Sequence, residues 1–209
     1  MHLQIRDYYF LRILAICKIL DTMSSRHYLT GQFLIAMPRL RDPNFEHAVI
    51  YICDHSKDGA MGLIINKLHD VKLQELLTQF DIQSARPDIS DKPVFVGGPV
   101  QYNHGFILHA NGAQWESTQQ ISEQISLTYS RDILEDIAAG NGPSDALVTL
   151  GYSGWGQGQI ESEIIDNAWL HTDADCDIIF NTDHQLCWTK AVEKIGIDIN
   201  ALSSDAGHA

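Results

Sequence analysis

Hydrophobic residues in this chain fall first into short runs and later into helical spacing. Residues 33–37 and 48–53 are apolar, β-branched or aromatic runs. The turn-forming Arg41-Asp42-Pro43-Asn44 between them completes the pattern of two strands and a connection. Residues 61–65 form a third run of the same kind. After Asp70, read as an N-cap, Leu73, Leu76, Leu77 and Phe80 recur at helical spacing and predict an amphipathic helix.

Residues 94–96 predict a strand ending in the sharp turn Gly97-Gly98-Pro99, and residues 105–109 a further strand before the Asn111-Gly112 turn. Residues 121–129 alternate apolar and polar. Ser130 then caps a helix with Ile133, Leu134 and Ile137 on its inner face, stopped by Gly140 with Pro143 beyond. Residues 146–150 read as a strand and residues 151–160 as a glycine-rich loop. That loop leads into a helix marked by Ile160, Ile164 and Ile165. A late strand over 176–180 and a late helix over 186–195, ended by Gly196, complete the series, with a frayed tail over 203–209. Strands in consecutive groups with scattered helices predict α+β with a mixed sheet rather than a regular alternation of strand and helix.

The 209 residues suffice for one domain, since a chain of this size buries roughly 70% of its unfolded surface. A hydrophobic content of 44% with 20% charged residues is ordinary for a soluble globular protein and predicts no membrane association. A net charge of -13 disfavours direct nucleic-acid binding and leaves a basic protein or a neutral small molecule as the expected partner. Cys17, Cys53, Cys176 and Cys187 lack metal-ribbon spacing and read as reduced thiols of a cytoplasmic protein. Residues 1–22 are interrupted by Arg12 and Lys18 and fit neither a signal peptide nor a membrane span. They read as an amphipathic extra helix or as sequence ahead of a true start at Met23; the second reading is preferred and puts the domain at 23–209.

Several separate motifs then occur in order: GQFLIAMP from Gly31 to Pro38, Asp42-Pro43-x-Phe45, GAMGLIINK from Gly59 to Lys67, Gly97-Gly98-Pro99, and GYSGWGQGQI from Gly151 to Ile160. Together they resemble the bacterial AlgH (YqgE) family, over about residues 29–202. The resemblance implies an α+β domain whose large mixed sheet partly curls into a barrel with flanking helices, in the bacterial cytosol. The family is largely uncharacterised and carries an old label as a transcriptional regulator. Residues 1–22 have no counterpart in its pattern.

The chemistry on offer is incomplete. The glycines of 151–160 could cradle an anion at a helix N-terminus, but Glu161 and Glu163 already place negative charge in the first turn. Gly151-Tyr152-Ser153-Gly154-Trp155 misses the nucleophile elbow by its last residue. Cys53 and His55 share a strand face by period 2, and His109 ends another strand, so a metal site is conceivable although no spacing demands one. The expectation is a non-enzymatic binding or regulatory module with no cofactor and no metal. Its site forms where Asn66 and Lys67, the Gly97-Gly98-Pro99 turn, and Tyr152, Ser153 and Trp155 meet at one end of the sheet, with Gln157 and Glu161 alongside. The alternatives are an enzyme with a pocket at the 151–160 loop and a DNA-binding regulator, which the acidic charge disfavours.

Overall fold

A computed structural model describes residues 28–84 and 86–197. The extra segment 1–22, the candidate start at Met23 and the tail 203–209 lie outside the described residues. The chain builds a mixed ten-stranded sheet curled into a half-barrel. Its main path is β10 (Trp169–Asp173), β1 (Gln32–Ala36), β2 (Val49–Ser56), β3 (Gly59–Ile64), β9 (Ala146–Gly156), β6 (Val100–Ala110), β8 (Ile125–Thr128) and β7 (Gln119–Gln120). Beside this path β4 (Leu68–Lys72) pairs with β5 (Pro93–Val96), which joins β9 in parallel. The helices are α1 (Leu73–Gln79), α2 (Pro87–Ser90), α3 (Arg131–Ala139), α4 (Gln159–Ile165), α5 (Cys176–Phe180) and α6 (His184–Lys194).

The sheet is buried on both faces, which is why β1 and β2 read as continuous apolar runs. Phe33, Tyr51, Leu63, Leu108 and Leu147 face the core closed by α5 and α6. On the opposite face Leu34, Ile50 and Ile64 pack against Ile160 of α4 at one end. At the other end Ile107, Val148, Leu76 and Ile133 pack between the sheet and helices α1 and α3.

Four elements depart from the expected pattern. Asp70 is no cap: pairing of β4 with β5 carries the chain extended through it to Lys72, the N-cap of α1. Residues 176–180 are a helix, because the Asp175 carboxylate accepts the Asp177 amide and starts a helical turn. The late strand is instead β10, whose five residues pair with β1 from Gln32↔Asp173 to Ala36↔Trp169. Last, residues 151–156 are not a loop: they extend β9, pairing Gly62↔Ser153 through Gly59↔Gly156 with β3.

Candidate functional site

The expected site residues hold the fold together where they lie. Gly151 adopts φ +73°, which breaks the alternation of β9: Leu150 packs toward α1 and α3, whereas Tyr152 packs on the opposite face. The Gly97-Gly98 corner then runs hard against β9, where a Cβ on Gly98 would lie 2.2 Å from the Tyr152 carbonyl carbon. Ser153 is fully buried, and its hydroxyl donates to the Gly97 carbonyl at 3.2 Å. Pro99 and Gln157 are exposed on turns.

Trp155 is only 7% exposed, so it packs in the core rather than offering a ligand platform. Its indole N–H and that of Trp169 both donate to Oε2 of Glu163, at 2.9 and 2.8 Å, while Gln159 Nε2 donates to Oε1. Phe45 stacks on Trp155 and meets Trp169 edge-on. This clasp fixes α4 to the sheet. Two residues earlier, Glu161 lies 3.4 Å from Nε2 of buried His55, whose Nδ1 accepts the Leu29 amide. A bulge between Ile52 and Asp54 undoes the period-2 expectation, since Cys53 faces the core under α5 and α6 while His55 faces α4. Burial pushes the Cys53 thiol well above its ordinary range. His109 is also committed: Nδ1 donates to the Ala110 carbonyl and Nε2 accepts from Thr128, both at 2.9 Å.

Asn66 and Lys67 serve the loop over 38–47 instead of joining the others. The Asn66 side chain accepts the Val49 amide and donates to the His47 carbonyl, and Lys67 Nζ donates to the Pro43 carbonyl at 2.9 Å. Partial burial lowers the Lys67 pKa, against the pull of Glu46 and Asp42. The structure thus gathers Gly97, Gly98, Tyr152 and Ser153 at one seam. Trp155 lies under α4, which carries Glu161, and Asn66 and Lys67 reach toward the 38–47 loop.

A different place has the makings of a binding site. Between Val100↔Tyr152 and Gly105↔Leu150, β6 spends five steps against two of β9, so residues 101–104 leave the ladder and protrude. Gln101 sits at φ +48°, a strained value for a side-chain-bearing residue, and Tyr102 is 69% exposed. Below this excursion, between β6 and the start of α3, is a groove of about 450 Å³. Its floor is Phe106, Ile107, Leu134 and Phe80, with Tyr129 at the wall. Gln101, Asn103, His104, Ser130 and Arg131 supply the polar rim. No Asp or Glu lines it, whereas three other clefts carry Asp88, Asp81, or the pair Asp54 and Asp58. Sequence reading passed over this segment because it offers no motif, and its one signal was an unusually polar stretch, Gln101 to His104, leading into a strand.

The sequence profile of AlgH-like proteins matches residues 33–200. The chain belongs to the AlgH-like family. The family resemblance carried by the motifs is therefore correct. A UPF0301 protein of Thioalkalivibrio sulfidiphilus is 50% identical over 187 residues, covering 90% of this AlgH-like chain and 100% of that protein. A UPF0301 protein of Vibrio cholerae is 47% identical over 185 residues, covering 87% of this chain and 99% of its own. The solution structure of the AlgH protein from Pseudomonas aeruginosa matches with a TM-score of 0.73 at 41% identity, covering 89% of this chain and 98% of that one. The crystal structure of protein DIP2367 from Corynebacterium diphtheriae shares the fold at 15% identity, with a TM-score of 0.66 and coverage of 89% and 97%. No helix among the described residues is long and apolar enough to cross a membrane.

Proposed function

We propose that this AlgH-like chain is a non-enzymatic binding module that seats a small molecule in the groove between the 101–104 excursion and α3. One observation carries the reading: the groove joins an apolar floor to a polar rim, three of whose side chains the fold does not use. Gln101, Asn103 and His104 have no hydrogen-bond partner among the described residues, although many polar side chains nearby, such as Asn111 and Thr128, are bonded. A concave apolar surface with a few convergent polar groups is the usual make-up of a ligand pocket. Strain at Gln101 is what a preformed binding loop stores. Ser153, the nearest approach to a catalytic nucleophile, is spent on the Gly97 carbonyl, which weighs against the enzyme alternative.

Gly105 supplies the test. It lines the groove, and a Cβ there would meet nothing within 4 Å, so Gly105→Leu fills the seat without straining the backbone. Amide chemical shifts of the wild-type protein, followed against a fragment library, should move at Gly105, Phe106 and Ser130, and Gly105→Leu should abolish those shifts while folding normally. Hits that spare this groove, or that bind Gly105→Leu as well as wild type, would refute the reading.

A further inference from the structure

We propose that the ligand of this groove is a small aromatic carboxylate, an assignment that rests on the groove being the ligand seat. In a chain carrying 27 acidic residues against 14 lysines and arginines, this groove is lined by Arg131 and by no carboxylate. Arg131 donates through Nε to Glu135 Oε1 at 2.7 Å, which orients the guanidinium, while both Nη groups lack a partner among the described residues. A guanidinium edge with two free N–H groups matches a carboxylate in a paired, two-bond geometry.

Shape and surface favour the same ligand. Phe106 and Tyr129 stand 6.3 Å apart, centre to centre, with rings tilted by 56°, and Phe80 adds a third aromatic face to the same groove. Such faces favour a flat ring by edge and stacking contacts. Gln101 and Asn103 each present an amide donor and acceptor to a polar substituent on that ring.

The probes are 4-hydroxyphenylacetate, its neutral amide and a nucleoside monophosphate, titrated calorimetrically into the full chain. Wild type should bind the acid roughly tenfold to a hundredfold more tightly than the amide, the range expected for a hydrogen bond to a charged group. Arg131→Gln should erase that preference. Glu135→Gln removes the partner and keeps the guanidinium, so the preference should survive, which separates loss of charge recognition from loss of a helix-surface pair. Equal binding of acid and amide by wild type, a preference that persists in Arg131→Gln, tighter binding of the nucleotide, or saturation by none of the three would each overturn the assignment. If acid and amide bind equally and Gly105→Leu removes both, the groove remains the seat and only the carboxylate is wrong. If Gly105→Leu removes neither, the seat itself is wrong.

Discussion

Single side chains in this protein are mostly committed twice, once by burial and once by a bond, and that makes their titration and truncation predictable. His109 is fully buried, and its pKa is lowered from 6.5 by desolvation, only partly offset by the bond to the Ala110 carbonyl. The folded state therefore binds fewer protons than the unfolded chain just below pH 6.5, and stability falls as pH drops through that value, by at most about 1.4 kcal/mol per pH unit from this group. Urea midpoints from pH 7.5 to 5.5 should fall less steeply for His109→Gln than for wild type, and parallel slopes would remove His109 from the account. Glu163 behaves differently, because it accepts two indole N–H groups and an amide at once. Glu163→Leu leaves both indoles unpaired in a mostly buried site, so urea unfolding should report a loss of about 2–6 kcal/mol, at roughly 1–3 for each orphaned donor. The acidic first turn visible in the sequence suggested only a repelled phosphate; its structural purpose depended on Trp155 and Trp169 converging from strands 14 residues apart in sequence.

Elements were legible where one face pattern ran unbroken. Strands β1, β2 and β3 follow from short continuous apolar runs, and helices α1, α3 and α6 from a period of 3.6, with Gly140 and Gly196 ending α3 and α6 in left-handed conformation. The rest failed for local reasons. Glycine content made residues 151–156 look like a loop, yet glycine is needed there because β9 and the Gly97-Gly98 corner press together backbone to backbone. Residues 176–180 are uniformly apolar after Asp177, and nothing in that run shows whether strand or helix wins; the Asp175 cap decides it. The bulge at Cys53, in the β2–β3 hairpin, and the slip before Gly105, between β6 and β9, are pairing events and leave no mark in either strand's own pattern. Two glycines make this difference measurable. Gly98→Ala drives a methyl into the Tyr152 backbone and should cost at least about 3 kcal/mol or prevent folding. Gly158→Ala, at φ +72° but in open space, should cost only about 1–2 kcal/mol in the same chemical denaturation. Equal costs at the two positions would mean that close approach is not the reason for glycine at the corner.

At the scale of the whole molecule, the one property fully visible in the sequence, its net charge of -13, acts on the one feature that was invisible there, the groove. An approaching anion first meets the field of the entire acidic surface and only at contact meets Arg131. These two interactions respond oppositely to salt. Raising ionic strength from about 10 mM to about 150 mM shortens the screening length from roughly 30 Å to 8 Å, which removes the long-range repulsion but scarcely touches a guanidinium and carboxylate in direct contact. The association rate of 4-hydroxyphenylacetate should therefore rise with salt while its dissociation rate stays nearly constant, and the neutral amide should show neither change. Stopped-flow fluorescence of Tyr129 in the groove wall would follow both rates. A rate of association that falls with salt would mean that positive charge dominates the approach, and the acid would then be binding at a surface other than this groove.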